Sequence, residues 1–70
     1  MYKLRIDKCD GSRHVYNNVM ALYLGDSEYG VDLDCMHEAE LKKPLKALLR
    51  IKDSEYVEQE NVIGFIKMQG

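Results

Sequence analysis

The sequence predicts an α+β fold: a small curved antiparallel sheet of five or six strands, or an open barrel built from them, with one helix inserted before the last strands. Two observations lead to this fold class. Apolar and polar residues alternate over several short segments, as in half-buried strands. Between residues 36 and 50 the apolar spacing lengthens to that of a helix. With 70 residues, we expect a single domain over residues 1–70.

The first strand is predicted at residues 2–8. Its apolar side chains Tyr2, Leu4 and Ile6 alternate with charged ones, so they share one face of the strand. The dipeptide Asp10-Gly11 follows and favours the tight turn of a hairpin.

Further strand segments are predicted along the chain. Residues 14–16 form a short second strand, and residues 19–24, which include no polar side chain, form a central strand buried on both faces. Residues 28–34 alternate again, with Tyr29, Val31 and Leu33 facing inward. The last strands are a short one at residues 56–57 and a longer one at residues 62–68.

A helix is predicted from about residue 36 to residue 50. The residues Leu41, Leu45, Leu48 and Leu49 recur at helical spacing and form one apolar stripe. Pro44 conflicts with a continuous helix, because a proline inside a helix removes one hydrogen bond and costs roughly 3 kcal/mol. Two arrangements remain open: a helix kinked at Pro44, and a loop followed by a short helix that begins at Pro44.

Two segments of the chain resemble each other. Residues 14–23 and 56–66 each contain a short strand, a polar break that ends in asparagine, and a valine followed by further apolar residues; the second break is one residue longer. The match predicts a corner at Asn18 and another at Asn61. Ala21 and Gly64 are then the predicted sites where the sheet bends or another element approaches closely.

Length and composition limit the function classes. A chain of this size cannot both fill a core and enclose a deep substrate cleft, so we expect no enzyme. The net charge of −2 disfavours sequence-independent binding of nucleic acid. The N-terminus leads directly into a strand, and no apolar stretch approaches the roughly 20 residues of a membrane span. We therefore expect a cytoplasmic protein with no signal peptide and no membrane segment.

The cysteines and histidines do not form a recognised metal-binding pattern. Neither the spacing of Cys9 and His14 nor that of Cys35 and His37 is that of a zinc knuckle. A nucleophile built from Cys35 and His37 would need a substrate cleft and an orienting third group. We expect reduced cysteines in or near the core, and no metal, cofactor or catalytic residue.

Charge is segregated along the chain. Residues 26–40 carry six acidic side chains and no Lys or Arg, whereas residues 42–52 carry five basic side chains and no acid. The first run predicts an acidic strand face that binds a larger protein partner with a basic surface, through Asp26, Glu28, Asp32, Asp34 and Glu38. The second run predicts the alternative, a nucleic-acid-binding basic helix around residues 42–52, through Lys42, Lys43, Lys46 and Arg50. Charge that only keeps a small domain soluble explains both runs equally well.

The leading interpretation is a non-catalytic protein-binding module, a small inhibitor or adaptor, that exists as a monomer or homodimer. In size and general character the chain resembles small accessory proteins of phages and mobile elements, which bind and block larger machines. An anti-defence protein such as an anti-CRISPR is one example. The runner-up is a small nucleic-acid-binding domain, and nucleic acid is the weaker candidate of the two partners.

Overall fold

The computed structural model of the chain describes residues 1–53 and 56–69. In this part of the chain, four antiparallel strands form a closed barrel in the order β1-β2-β3-β4. The strands are β1 Tyr2–Lys8, β2 Arg13–Leu24, β3 Glu38–Ile51 and β4 Tyr56–Met68. Each strand pairs with the next, and β4 returns to pair with β1, so the sheet closes on itself.

The predicted helix is wrong, and with it the α+β class and the count of five or six strands. The segment forms β3, and the described residues contain no helix. Within β3 the odd-numbered residues Leu45, Ala47 and Leu49 are more buried than the even-numbered Lys46 and Arg50, which is the two-residue period of a strand. Leu48 interrupts that alternation, and it completed the apparent helical stripe.

Pro44 lies at a break in β3. The ladder with β4 passes from the pair Glu40↔Gly64 to the pair Leu45↔Val62, so four residues of β3 lie opposite a single residue of β4. A proline at such a bulge interrupts no ladder hydrogen bond, whereas inside a helix it would remove one. The two arrangements of a helix around Pro44 are therefore both excluded by the sheet pairing.

Other predicted strands are confirmed or corrected. The strand at residues 2–8 and the turn at Asp10-Gly11 are confirmed, with Gly11 at a φ of 88°. The short segments at residues 14–16 and 56–57 are parts of the longer strands β2 and β4. The strand predicted at residues 28–34 is wrong, because these residues belong to the loop between β2 and β3. Residues 19–24 are not buried on both faces, since Met20 is 45% exposed.

The two predicted asparagine corners are confirmed. Asn18 and Asn61 both have a φ of 57°, a left-handed conformation that asparagine adopts more readily than most residues. Each corner carbonyl accepts a hydrogen bond from the first residue after a neighbouring strand: Lys52 N donates to Asn18 O at 3.0 Å, and Cys9 N donates to Asn61 O at 2.9 Å. Such corners let one strand bend from one part of the sheet into another.

The resemblance between the two segments extends to the whole barrel. Adding the 43 residues that separate Tyr16 and Gln59 to the β1–β2 register gives the β3–β4 register, so that Leu4↔Tyr16 becomes Ala47↔Gln59. The β1–β4 and β2–β3 registers correspond in the same way. The barrel therefore consists of a first hairpin, residues 2–24, and a second hairpin, residues 45–67, in equivalent positions. The two polar breaks have equal length, so the extra residue assigned to the second one is wrong.

The core is built from equivalent residues of the two hairpins. The buried pairs are Leu4 and Ala47, Ile6 and Leu49, Val19 and Val62, and Leu22 and Phe65. Leu33 from the β2–β3 loop completes this core at one end of the barrel. Towards the other end, Gln59 Nε2 donates to Tyr16 Oη at 2.6 Å and Lys8 Nζ donates to Gln59 Oε1 at 3.0 Å. None of the described residues belongs to a helix long and apolar enough to cross a membrane.

Candidate functional site

The predicted acidic residues lie on a loop and not on a strand. Asp26, Glu28, Asp32 and Asp34 belong to residues 25–37, which we call the acidic loop, and Glu38 is the first residue of β3. All five side chains are exposed. The loop does not align them on one strand face, so the predicted acidic strand face is wrong. They divide into two groups, one near the start of the loop and one near its end.

The acidic loop is anchored to the barrel. Leu33 is buried in the core, and Val31 N donates to Leu22 O of β2 at 2.8 Å. Lys67 of β4 holds the end of the loop twice, because its Nζ donates to Leu33 O and its backbone N donates to His37 O, each at 2.6 Å. The path of the loop is therefore fixed by apolar burial and by hydrogen bonds to two strands.

A cluster around Tyr2 fastens the end of the acidic loop. Tyr2 Oη donates a hydrogen bond to Asp34 Oδ1, and Lys67 Nζ lies 5.1 Å from the centre of the Tyr2 ring. The hydrogen bond to the Asp34 carboxylate raises the pKa of Tyr2, because a phenolate would lose that bond and be repelled by the carboxylate. Near this cluster Asp32 organises a turn, since its side chain accepts from Asp34 N at 3.2 Å.

Tyr29 of the acidic loop is the most exposed large apolar residue of the described part of the chain. Its side chain is 82% exposed, so the prediction that it faces inward is wrong. Ser27 supports this position, because Ser27 Oγ both accepts from Tyr29 N and donates to Tyr29 O, each at 3.1 Å. An exposed tyrosine on an anchored segment presents apolar area to a partner at low entropic cost.

The predicted basic residues lie on β3 and not on a helix. Lys42 and Lys43 are exposed in the bulge beside Pro44, whereas Lys46 and Arg50 lie on the outer face of the strand. Lys46 Nζ forms an ion pair with Glu58 Oε1 at 3.1 Å, so an acid of β4 neutralises it. The strand thus separates these residues into two places, and it does not present one basic stripe.

The cysteines are not in the core. Cys9 and Cys35 are both exposed and reduced, which corrects the expectation of thiols in or near the core. A hydrogen bond to Asp32 raises the pKa of the Cys35 thiol, which makes it a weaker nucleophile at neutral pH. Within residues 1–53 and 56–69, no three His, Cys, Asp or Glu side chains are grouped in a way that could hold a metal ion.

Sequence reasoning missed an aromatic groove on the outside of the barrel, where β2, β3 and β4 meet the start of the acidic loop. Tyr23 of β2 lies directly opposite Leu48 of β3, and Tyr56 of β4 adds a second ring that is 57% exposed. We call this depression, with a volume of about 390 Å³, the aromatic groove; its charged lining consists of Asp26, Glu28, Lys46 and Glu58. The signal in the sequence was Leu48, an apolar residue at an outward position of an alternating segment.

Comparison with known proteins does not assign the chain to a family. It matches no family model, no curated protein and no solved structure. The anticipated likeness to accessory proteins of phages and mobile elements therefore gains no support from these comparisons.

Proposed function

We propose that this chain is a non-catalytic protein-binding module, an inhibitor or adaptor, which binds a larger partner with a basic surface through the acidic loop. The observation that carries the proposal is the anchoring of that loop. Its carboxylates are exposed, while Leu33, Val31 and His37 hold its backbone to the barrel. Because the loop is already ordered, binding does not have to supply the free energy to order it.

The surroundings of the loop support a binding role. Its charge is one-sided, since no Lys or Arg lies between residues 26 and 40, and one-sided charge speeds association with a surface of opposite sign. The interior of the barrel is filled by apolar side chains, and the concave regions lie on its outer surface. Open surface grooves suit a protein partner better than a buried small substrate.

Quantitative capture from lysate tests the proposal. The immobilised wild-type chain is compared with the charge-reversed loop variant Asp32→Lys with Glu38→Lys, which leaves Asp26 and Glu28 beside the aromatic groove unchanged. A control variant, Glu40→Lys with Glu60→Lys, changes the net charge equally at exposed positions outside the loop. We expect the loop variant to lose proteins that the wild type and the control retain, and we expect this capture to weaken at high salt.

Two outcomes would contradict the proposal. Equal loss of a partner from both charge variants would mean that net charge alone attracts it. Loss of capture after nuclease treatment would mean that nucleic acid bridges the interaction, which is the alternative based on Lys42, Lys43, Lys46 and Arg50. Circular dichroism and melting of each variant establish that the loop variant remains folded.

A further inference from the structure

Because of the internal repeat, each outer position of one hairpin can be compared with the equivalent position of the other. Equivalent positions of the two hairpins have the same register in the barrel, and residues 38–40 add a pairing to β4 that β2 lacks. The four buried pairs of the core are apolar in both hairpins. A difference between equivalent outer positions therefore identifies a feature that the barrel register does not require.

The outer faces differ most at the aromatic groove. Tyr23 of the first hairpin forms one row with Leu48 and Glu58 of the second, across β2, β3 and β4. The equivalent row consists of Ile66 of the second hairpin with Arg5 and Val15 of the first.

In the row of Ile66, Arg5 and Val15, the arginine forms an ion pair. Arg5 Nε lies 2.8 Å from Asp7 Oδ1, and Arg13, the counterpart of Tyr56, lies 4.0 Å from the same carboxylate oxygen. The barrel thus folds without aromatic residues at these positions. The pairing of the four strands therefore does not require the rings of Tyr23 and Tyr56.

The charge of the groove indicates the chemistry of its occupant. Three acidic side chains and one lysine line it, which leaves an excess of two negative charges. The ion pair with Glu58 raises the pKa of Lys46, and the charges of Asp26 and Glu60 act in the same direction. Tyrosine faces attract a cation electrostatically, and an acidic rim strengthens that preference.

We propose that the aromatic groove binds an arginine side chain of the basic protein partner. The planar guanidinium stacks between Tyr23 and Tyr56, its methylene groups cover Leu48, and the carboxylates of Asp26 and Glu28 receive its N–H groups. This inference rests on the proposed function, because Asp26 and Glu28 begin the acidic loop that meets the same partner.

Two matched peptides test the chemistry on the full chain. The first is acetyl-Gly-Arg-Gly-Arg-Gly-amide, and the second has citrulline, which keeps the shape but lacks the charge, in place of both arginines. Nuclear magnetic resonance follows the ring signals of Tyr23 and Tyr56 during each titration. We expect the arginine peptide to shift both rings and to bind about fivefold more tightly than the citrulline peptide. Equal binding, or ring signals that do not move, would overturn the proposal.

Variants drawn from the repeat test the location. Tyr23→Ile introduces the side chain of Ile66, which the second hairpin carries at the equivalent position, and Tyr56→Leu removes the second ring while keeping apolar volume. Each change should weaken the arginine peptide about two- to fivefold, and both together about tenfold. The control Val15→Ala, on the first hairpin's outer face, should leave affinity unchanged. A folded double variant with wild-type affinity would show that the groove is not the site.

Other occupants give different results in the same assays. Oligothymidylate that binds more tightly than the arginine peptide and depends on the same two rings would identify a nucleic-acid surface and overturn the proposal. Sedimentation that shows a dimer in wild type, and a monomer in the double variant, would identify a second copy of the chain as the occupant. That result would also overturn it.

The capture experiment separates this inference from the proposed function. If the loop variant loses its partner and the Tyr23→Ile with Tyr56→Leu variant retains it, the acidic loop is the binding site and the groove inference fails. If the double variant loses the partner and the loop variant retains it, the groove is the site and the loop proposal fails. Loss of the partner from both variants supports both the loop proposal and the groove inference. Retention of the partner by both variants refutes them.

Discussion

Ala21 in the first hairpin and Gly64 in the second occupy equivalent positions, three residues after the corner asparagines. At Ala21 the side chain is half-buried and lies on the outer face, opposite Arg50. At Gly64 a Cβ atom would come within 2.8 Å of the carbonyl oxygen of Ala39. The same backbone position therefore accepts a methyl group in one hairpin and excludes it in the other.

The segment between the hairpins causes this difference. Residues 38–40 extend β3 beyond the repeat and pair with β4 at Gly64, whereas the loop amide of Val31 reaches β2 at Leu22. The connection thus approaches the two hairpins in different ways. The repeat accounts for the core and the corners, and the connecting segment makes the two halves unequal.

The largest expected effect is the loss of an equivalent core side chain from either hairpin. Leu22→Ala should lower the free energy of unfolding by about 2–5 kcal/mol, and Phe65→Ala by about 3–5 kcal/mol, because each leaves a cavity. Chemical denaturation measures both. A small domain has only a few kcal/mol of stability, so both variants should be largely unfolded. Wild-type stability in one of them would show that the two cores are not equivalent.

The exchange of the small residues should have the next largest effect. Gly64→Ala should destabilise the fold by about 1–3 kcal/mol, because the methyl group forces the Ala39 backbone to shift. Ala21→Gly should cost about 0.5–1 kcal/mol, which is the ordinary penalty of glycine in a strand. Thermal melting compares the two directly. If Gly64→Ala stabilised the protein, the close approach of β3 to β4 would not exist in solution.

Equivalent substitutions at the two corner asparagines should change the free energy of unfolding equally. They therefore test whether the two hairpins are equivalent in solution. Asn18→Ala and Asn61→Ala should each cost about 1–2 kcal/mol, because alanine adopts left-handed backbone poorly. Asn18→Gly and Asn61→Gly should lie within about 0.5 kcal/mol of wild type, since glycine adopts this conformation freely. A cost at only one of the two corners would mean that the corners are not equivalent in solution.

The smallest expected effect concerns Tyr2, whose counterpart in the second hairpin is Leu45. The hydrogen bond to Asp34 raises the pKa of Tyr2 above its unfolded value of about 10. The neutral phenol therefore holds the acidic loop below that pH, and the contact is lost as the pH rises through the folded pKa. The methyl signals of Leu33 should shift in alkaline solution in wild type and not in Tyr2→Phe. An identical shift in both would assign the transition to another group.

Part of the fold could be predicted because it depends on local patterns. The alternation of Tyr2, Leu4 and Ile6 produces β1, and Asp10-Gly11 produces the following turn. Asn18 and Asn61 were recognisable as corners because few other residues adopt a positive φ at low cost. The exposed acids were identified as surface residues, but their arrangement depends on an irregular loop, for which no periodic pattern exists.

Helix and strand could not be distinguished locally in β3. Leu41, Leu45, Leu48 and Leu49 satisfy the helical period, while the alternating burial of Leu45, Ala47 and Leu49 satisfies the strand period. The strand conformation prevails because β2 and β4 provide hydrogen-bonding partners on both edges of β3 for the residues after Pro44. Those partners are distant in the sequence, so a short window contains no information about them.

The sequence by itself determined the first strand, the hairpin turn, the two corners and the one-sided charge of residues 26–40. It also determined that small residues, Ala21 and Gly64, occupy equivalent positions of the two similar segments. Only the tertiary structure decided that residues 38–51 form a strand, that the barrel closes, and that Tyr23, Leu48 and Tyr56 meet in one groove. The physical reason is that backbone conformation at a turn is a property of a few neighbouring residues. A sheet and its surface grooves arise from hydrogen bonds and contacts between strands far apart in the chain.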